Sequence, residues 1–200
     1  MFLAYTPYTP IPDIDALKSL MPPARQLRFT ACSTAPLFAY TLLALLLDRH
    51  FSLDARNIRY TDAGRPYLPG DPVHFSLSHT KTHALCAISD SPVGCDIEMH
   101  RPISAHTIRR VLADCEQAAD FFSYWTLKES YFKLTGDLNR PFSTIYFHLT
   151  DGAASTVDAH GFVYHELPNC TATVLAGKPF PRPGLREFTP AELFSYAAEK

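Results

Sequence analysis

Two carboxylates separated by a single residue are the first sign of chemistry in this chain. They lie in the segment 94–98, whose composition predicts a β-strand. Because side chains alternate along a strand, Asp96 and Glu98 share one face while Ile97 points into the protein. Close carboxylates repel each other unless a cation lies between them. The spacing therefore predicts a cation site, although an arbitrary acidic pair is more often a solvated, solubilising strand surface.

A second pair of charged residues lies in the segment 125–133, whose pattern predicts a helix. Glu129 and Lys133 are one turn apart and therefore on the same helical face. With Asp96 and Glu98, Glu129 completes one face of a hard-metal site, and magnesium beside a lysine forms a site for phosphate. Taken alone, Glu129 and Lys133 would be an ordinary helical ion pair worth about 0.3–0.5 kcal/mol.

Two further motifs precede the carboxylates. The segment 75–80 ends an alternating strand with Ser78 and His79, whose hydroxyl and imidazole can hydrogen-bond phosphate oxygens. The segment 64–66 predicts a turn in which Arg65 can form a bidentate contact with phosphate. Neither motif is specific alone, since a single histidine at a strand end is usually a surface residue and Gly-Arg-Pro is usually just a turn.

The composition limits the class of protein. The chain has 200 residues, 46% of them hydrophobic, and a formal net charge of −2, so it forms a core but offers no basic footprint for nucleic acid or a membrane surface. The most apolar run, 36–47, is shorter than the roughly 20 residues that span a bilayer, and we expect a buried helix there. Five cysteines without a pairing motif, and an amino terminus without a signal peptide pattern, predict a cytoplasmic protein with reduced thiols.

The periodicity predicts an α+β fold that repeats one arrangement twice. In the first half it predicts a strand, two helices and an antiparallel meander, at 2–6, 13–20, 35–50, 73–78, 84–88 and 93–98. In the second half it predicts two helices and three strands, at 104–113, 116–135, 143–149, 161–166 and 171–176. We therefore expect two α+β subdomains similar in shape, 1–100 and 101–200, each with a small antiparallel sheet packed by helices. The Pro-rich segment around 179–183 predicts an extended surface stretch.

The order of these four motifs, 64–66, 75–80, 94–98 and 125–133, closely resembles the larger, surfactin-synthetase-activating type of 4'-phosphopantetheinyl transferase. The resemblance covers residues 60–150. It implies two pseudo-symmetric subdomains with an active site in the cleft between them. It also implies a cytoplasmic, monomeric enzyme that uses Mg²⁺ to move the 4'-phosphopantetheine arm of coenzyme A onto a serine of an acyl or peptidyl carrier protein. The second product is adenosine 3',5'-bisphosphate, and the carrier would serve fatty-acid, polyketide or nonribosomal peptide synthesis.

The resemblance also implies roles for the charged residues of the last two motifs. Asp96, Glu98 and Glu129 would be the magnesium ligands. Glu129 is in addition a candidate base for the attacking serine hydroxyl, directly or through water. Lys133 would hold the pyrophosphate and stabilise charge on the leaving phosphate. Lys128 matches the motif as well, but its position beside Glu129 on the helix predicts that it faces elsewhere.

For coenzyme A the resemblance implies contacts at Arg65, Pro66, Ser78, His79, Lys133, Arg25 and Arg28. His79 with Ser78 would contact the 3'-phosphate, and Arg65 with Pro66 would form the wall of the adenine pocket. The amino-terminal part departs from the family, because the helix start at 34–37 lacks the arginine that is often found there.

Two alternatives remain open from the sequence. The weakened amino-terminal basic set is compatible with a catalytically weak or silent module that binds coenzyme A or a carrier protein without turnover. A different Mg²⁺-dependent phosphotransfer or phosphodiester enzyme would require a Gly-rich, Lys-containing nucleotide loop, and no such run is present in the sequence.

Overall fold

The computed structural model describes residues 1–27, 34–62, 64–137 and 139–200. Its strands are β1 (Phe2–Pro7), β2 (Arg59–Tyr60), β3 (Pro66–Tyr67), β4 (His74–His79), β5 (His83–Ser89), β6 (Val93–Met99), β7 (His148–Thr150), β8 (Ala153–Ser155), β9 (His160–Tyr164), β10 (Cys170–Ala176) and β11 (Leu185–Glu187). Its α-helices are α1 (Ile14–Ser19), α2 (Pro23–Gln26), α3 (Thr34–Phe51), α4 (Ala105–Val111), α5 (Phe121–Thr135) and α6 (Pro190–Ala198). Short 3₁₀-helices lie at Ala55–Asn57, Ala118–Asp120 and Phe142–Thr144.

The strands form two main sheets, which confirms the predicted mixed α+β class. A four-stranded sheet has the order β11-β1-β5-β4, and a five-stranded sheet has the order β6-β10-β9-β8-β7. Pairing is antiparallel except between β1 and β11. β2 and β3 form a separate two-stranded ribbon. The division of the chain into two subdomains near residue 100 stays a prediction. β6, which precedes residue 100, belongs to the five-stranded sheet, and β11, which follows it, belongs to the four-stranded sheet.

The predicted meander of three strands is wrong for its third member. β4 and β5 pair as expected, but β6 pairs through its backbone with β10, from Val93 opposite Ala176 to Met99 opposite Cys170. β6 nevertheless lies beside β4, because two serine side chains of β4 accept hydrogen bonds from its backbone: Cys95 N donates to Ser76 Oγ at 3.0 Å and Ile97 N to Ser78 Oγ at 3.3 Å. The two sheets therefore meet at β4 and β6.

Alternation along the strands divides the core into layers. In β5, Ala84, Cys86 and Ile88 pack with the predicted helix α3, whose central residues are buried on every side. The opposite face of β5 packs against odd-numbered residues of β6, including Ile97. The even-numbered face of β6 is left for α5, which lies on the other side of the five-stranded sheet.

Further elements follow two proline-containing segments. α1 ends at Ser19, before Pro22-Pro23, and Pro23 begins the short helix α2, because proline suits the first helical turn. Residues 179–183 have no regular structure, as expected, but the chain after them forms β11 and α6. Thr189 caps α6 through a capping box with Glu192. No helix in the described ranges is long and apolar enough to cross a membrane.

Candidate functional site

A glycine lets helix α5 approach strand β6 closely. A Cβ atom at Gly94 would lie 1.9 Å from the Ser130 carbonyl oxygen and 2.8 Å from the Leu134 backbone nitrogen. Because alternate residues of a strand share a face, Asp96 lies on the same side as Gly94, under the helix. A hydrogen bond of 2.7 Å between Ser130 Oγ and Thr173 Oγ1 fixes the helix to the next strand, β10. This close packing brings the charged face of α5 to the strand carboxylates.

Asp96 and Lys133 are in direct contact across this junction. Lys133 Nζ donates to Asp96 Oδ1 at 2.7 Å and to the Cys95 carbonyl oxygen at 3.0 Å. Asp96 is only 6% exposed, and Ser78 Oγ donates to the same Oδ1 atom at 2.6 Å. The other carboxylate oxygen, Oδ2, is buried and has no hydrogen-bond partner among the described residues. Asp96 therefore presents one bonded and one unbonded oxygen.

Glu129 is half-buried beside this pair. Burial raises the pKa of the Glu129 carboxyl, the charges of Asp96 and, less strongly, Glu98 raise it further, and Lys133 opposes them. The structure therefore brings Asp96, Glu129 and Lys133 together. Glu98 influences the same carboxyl, but its own Oε2 accepts a hydrogen bond of 2.6 Å from the exposed Arg101.

The carboxylates at this junction are suitable ligands for a divalent cation, but they are not arranged as a complete metal site. The carboxylates of Asp96, Glu98 and Glu129 are hard oxygen ligands of the kind that Mg²⁺ binds. A cation would also satisfy the buried Asp96 Oδ2 atom. Within the part of the chain that the structure describes, however, no three His, Cys, Asp or Glu side chains are grouped so as to hold a metal ion. The donor set fits magnesium in kind, and completing the site requires side-chain movement.

His79 lies at the end of β4, on the wall of a cavity of about 1020 Å³. This cavity, called here the His79 cavity, is lined by basic and hydroxyl side chains among others, including Thr34, Thr80, Lys81, His100 and Arg101. Partial burial lowers the pKa of His79, and the neighbouring Lys133 charge adds to this effect while Asp96 opposes it. His79 follows Ser78, whose hydroxyl donates to Asp96 Oδ1, so it lies close to the Asp96–Lys133 pair. Ser78, the preceding residue, does not line the cavity.

Arg65 and Pro66 line a second cavity of about 400 Å³, which shares no lining residue with the His79 cavity. Leu134 of α5 and His74, the first residue of β4, lie on its wall. The six residues of β4 span about 17 Å from one cavity to the other. The Asp96–Lys133 pair lies beside this strand, between its two ends.

Of the two predicted amino-terminal basic residues, Arg25 and Arg28, the structure describes only Arg25. The Arg25 guanidinium lies 4.0 Å from the centre of the Tyr60 ring, in a cation–π contact, and Arg25 is not among the residues that line either cavity. Arg28 lies outside the described residues.

Lys128 turns away from the charged face of α5, as the sequence predicted. It is fully buried, and its Nζ donates to Glu116 Oε2 at 2.5 Å and to the Val111 carbonyl oxygen at 2.7 Å. Glu116 in turn accepts from the backbone nitrogens of Ala113 and Phe147. This satisfied ion pair holds α5 from its inner side. Sequence analysis missed Glu116, because a lone acidic residue before a helix carries no specific signal.

Comparison with known proteins agrees with the motifs. The profile of the 4'-phosphopantetheinyl transferase superfamily matches residues 92–175, which contain β6 and α5. The 4'-phosphopantetheinyl transferase Sfp of Bacillus subtilis strain 168 is 30% identical over 141 residues, covering 62% of this chain and 63% of that protein. The transferase gsp of Aneurinibacillus migulanus is 33% identical over 114 residues, covering 48% of each chain. HetI of Nostoc is 31% identical over 136 residues, covering 58% of this chain and 54% of that protein.

Each of these matches spans less than two thirds of the relative's own length. The comparisons confirm the resemblance to the 4'-phosphopantetheinyl transferase superfamily that the four motifs predicted.

Proposed function

We propose that this chain, with its resemblance to the phosphopantetheinyl transferases, transfers the 4'-phosphopantetheine arm of coenzyme A to a serine of an apo acyl or peptidyl carrier protein. The products are the holo carrier protein and adenosine 3',5'-bisphosphate. The observation that carries the proposal is the packing of α5 on Gly94, which brings Glu129 and Lys133 to Asp96. Carboxylates and an ammonium group that converge in this way suit a diphosphate and a divalent cation.

Magnesium would be held by Asp96, Glu98 and Glu129, where it would neutralise charge on the diphosphate. Glu98 can take part through Oε1 while Oε2 stays with Arg101, or by leaving Arg101, which costs little because an ion pair near the surface is worth about 0–1 kcal/mol. Lys133 binds the phosphate oxygens and stabilises charge on the leaving group, and its contact with Asp96 holds the ammonium group in the site.

Glu129 is the candidate base. A pKa raised by burial makes this carboxylate a better proton acceptor than an exposed glutamate. In the transfer, the serine oxygen of the carrier forms a bond to the phosphorus that bears the pantetheine arm. The bond from that phosphorus to the oxygen of adenosine 3',5'-bisphosphate breaks, and the serine proton passes to Glu129.

By the resemblance, His79 would contact the 3'-phosphate of coenzyme A, and Arg65 with Pro66 would border the adenine. Because one ribose carries both groups and the two cavities are about 17 Å apart along β4, both contacts would form together only if Arg65 and Pro66 moved toward His79. Arg25 and Arg28 are further candidates for phosphate contact. The resemblance would also give Ser78 a place at the 3'-phosphate.

The remaining expectations from the sequence belong to the same proposal. The fold would consist of two pseudo-symmetric subdomains, 1–100 and 101–200, with the active site in the cleft between them. The protein would act as a monomer in the cytoplasm, on carrier proteins of fatty-acid, polyketide or nonribosomal peptide synthesis, with neither nucleic acid nor a membrane as partner. The net charge of −2 supports the absence of a nucleic-acid partner.

The proposal is tested by incubating the chain with coenzyme A, Mg²⁺ and a panel of apo carrier proteins from the three kinds of synthesis. Transfer adds about 340 Da to the carrier, which intact-protein mass spectrometry detects. Glu129→Gln should abolish the addition, while Glu199→Gln, an exposed glutamate far along the chain, should not. If no carrier gains mass, the transferase is refuted. Coenzyme A binding measured in the same samples would then identify a silent binding module.

A further inference from the structure

The hydroxyl of Ser78 forms its hydrogen bonds with buried groups inside the protein. Ser78 is 8% exposed; its Oγ accepts from Ile97 N at 3.3 Å and donates to Asp96 Oδ1 at 2.6 Å. A serine hydroxyl has one hydrogen to donate, and this hydrogen lies on Asp96. Ser78 can therefore donate to a phosphate only by giving up the carboxylate. Because it also lines neither cavity, its position differs from that of His79.

The two donors on Asp96 reach the same oxygen atom. Ser78 Oγ and Lys133 Nζ both lie within 2.7 Å of Oδ1, and Oδ2 is buried without a described partner. Hydrogen bonds to a carboxylate fix its rotation, so these two bonds determine which oxygen stays free and where it points. Lys133 sits on a long, flexible side chain, whereas Ser78 is held by its strand and by Ile97 N. Ser78 is consequently the more rigid of the two constraints.

We propose that Ser78 is a positioning residue. It orients the Asp96 carboxylate so that Oδ2 is presented to the cation, and it does not contact the 3'-phosphate. This inference rests on the proposed function, since it assigns Asp96 the role of metal ligand. It predicts that the hydroxyl supports metal affinity through Asp96, in the manner of the outer-sphere hydrogen bonds that orient metal-binding carboxylates.

The chain contains a matched control two residues away. Ser76 is also buried on β4, and its Oγ accepts from Cys95 N at 3.0 Å, just as Ser78 Oγ accepts from Ile97 N. Among the hydrogen bonds between described residues, Ser76 has none to a carboxylate. Ser76→Ala therefore removes a link between β4 and β6 of the same kind without touching Asp96.

The experiment measures binding without turnover. Isothermal titration calorimetry in EDTA gives the affinities of wild type, Ser78→Ala and Ser76→Ala for coenzyme A and for 3'-dephospho-coenzyme A. Mn²⁺ affinity is then measured by electron paramagnetic resonance with coenzyme A present and no carrier protein. We expect Ser78→Ala to weaken Mn²⁺ binding about 10-fold and to leave the ratio of the two coenzyme affinities unchanged. Ser78→Thr, which keeps a hydroxyl, should restore Mn²⁺ binding, and Ser76→Ala should bind Mn²⁺ as the wild type does.

Three results would overturn the inference. If Ser78→Ala weakens coenzyme A selectively over the dephospho form and leaves Mn²⁺ binding intact, Ser78 is a phosphate contact. If Ser76→Ala loses Mn²⁺ affinity equally, the effect belongs to the junction of the sheets and not to Asp96. If the wild type binds neither coenzyme, the proposed function fails and the inference fails with it, an outcome distinct from the first two. Thermal melts of each variant show that the fold is retained.

Discussion

The approach of α5 to β6 gives a prediction whose size follows from one distance. In Gly94→Ala, the added Cβ would lie 1.9 Å from the Ser130 carbonyl oxygen, against the 3.4 Å or more of an ordinary contact. The helix backbone therefore has to retreat by about 1.5 Å, and a displacement of about 1 Å at a reacting group costs on the order of 100-fold in rate. We expect Gly94→Ala to lower the transfer rate about 100-fold or more.

The same substitution should also destabilise the fold, because overpacking costs about 1–3 kcal/mol. For a chain of this size that lowers Tm by about 2–12 °C. Two alanine variants separate the effects. At Gly161 a Cβ would lie 2.0 Å from the Val174 carbonyl oxygen, a similar clash but with strand β10 instead of with the α5 backbone, and at Gly184 a Cβ would meet nothing within 4 Å.

The assay combines Tm from circular dichroism with carrier modification followed by mass spectrometry, below each variant's Tm. Gly161→Ala should lose stability comparably to Gly94→Ala and keep far more transfer activity, while Gly184→Ala should match the wild type in both. A Gly94→Ala protein with wild-type Tm and wild-type transfer would refute the reasoning. Equal rate losses in Gly94→Ala and Gly161→Ala would show that stability, and not the position of α5, sets the rate.

Three further predictions concern single side chains. Glu116→Gln leaves the buried Lys128 ammonium without its carboxylate and should cost about 3–5 kcal/mol in the free energy of unfolding, measured by urea denaturation. Glu129→Gln should raise Tm in EDTA at neutral pH: the folded-state pKa of Glu129 lies above its unfolded value, so ionisation opposes folding, and the gain should vanish as pH falls below both pKa values. An unchanged Tm at both pH values would contradict this. Leu193→Ala, a fully buried position in α6, should cost about 2–5 kcal/mol, and a loss below 1 kcal/mol would show that α6 is not part of the core.

The local parts of the site could be predicted from the sequence because they follow from short-range geometry. The alternation of a strand places Asp96 opposite Ile97, and the helical repeat places Glu129 and Lys133 together, so these relations do not depend on the rest of the fold. The buried helix α3 was predictable for a similar reason, since a continuous apolar run has no solvent-facing side.

The longer-range parts were missed because partners distant in sequence determine them. Alternation identifies β6 as a strand but does not identify its neighbour, and its backbone pairs with β10 instead of β5. The same holds for Lys128, whose partner Glu116 lies across a turn. Helix α6 was also missed, although the capping box formed by Thr189 and Glu192 is a local signal from which it was predictable.

The way β4 meets β6 has a consequence for how such a protein can change over time. Neighbouring strands usually join through amide groups common to almost all residues, so the join tolerates most substitutions. In the described residues, the hydrogen bonds between these two strands run through side chains, chiefly the hydroxyls of Ser76 and Ser78. A single amino-acid substitution at either serine therefore alters the junction of the two sheets, and related sequences can differ in rigidity there while every strand keeps its place.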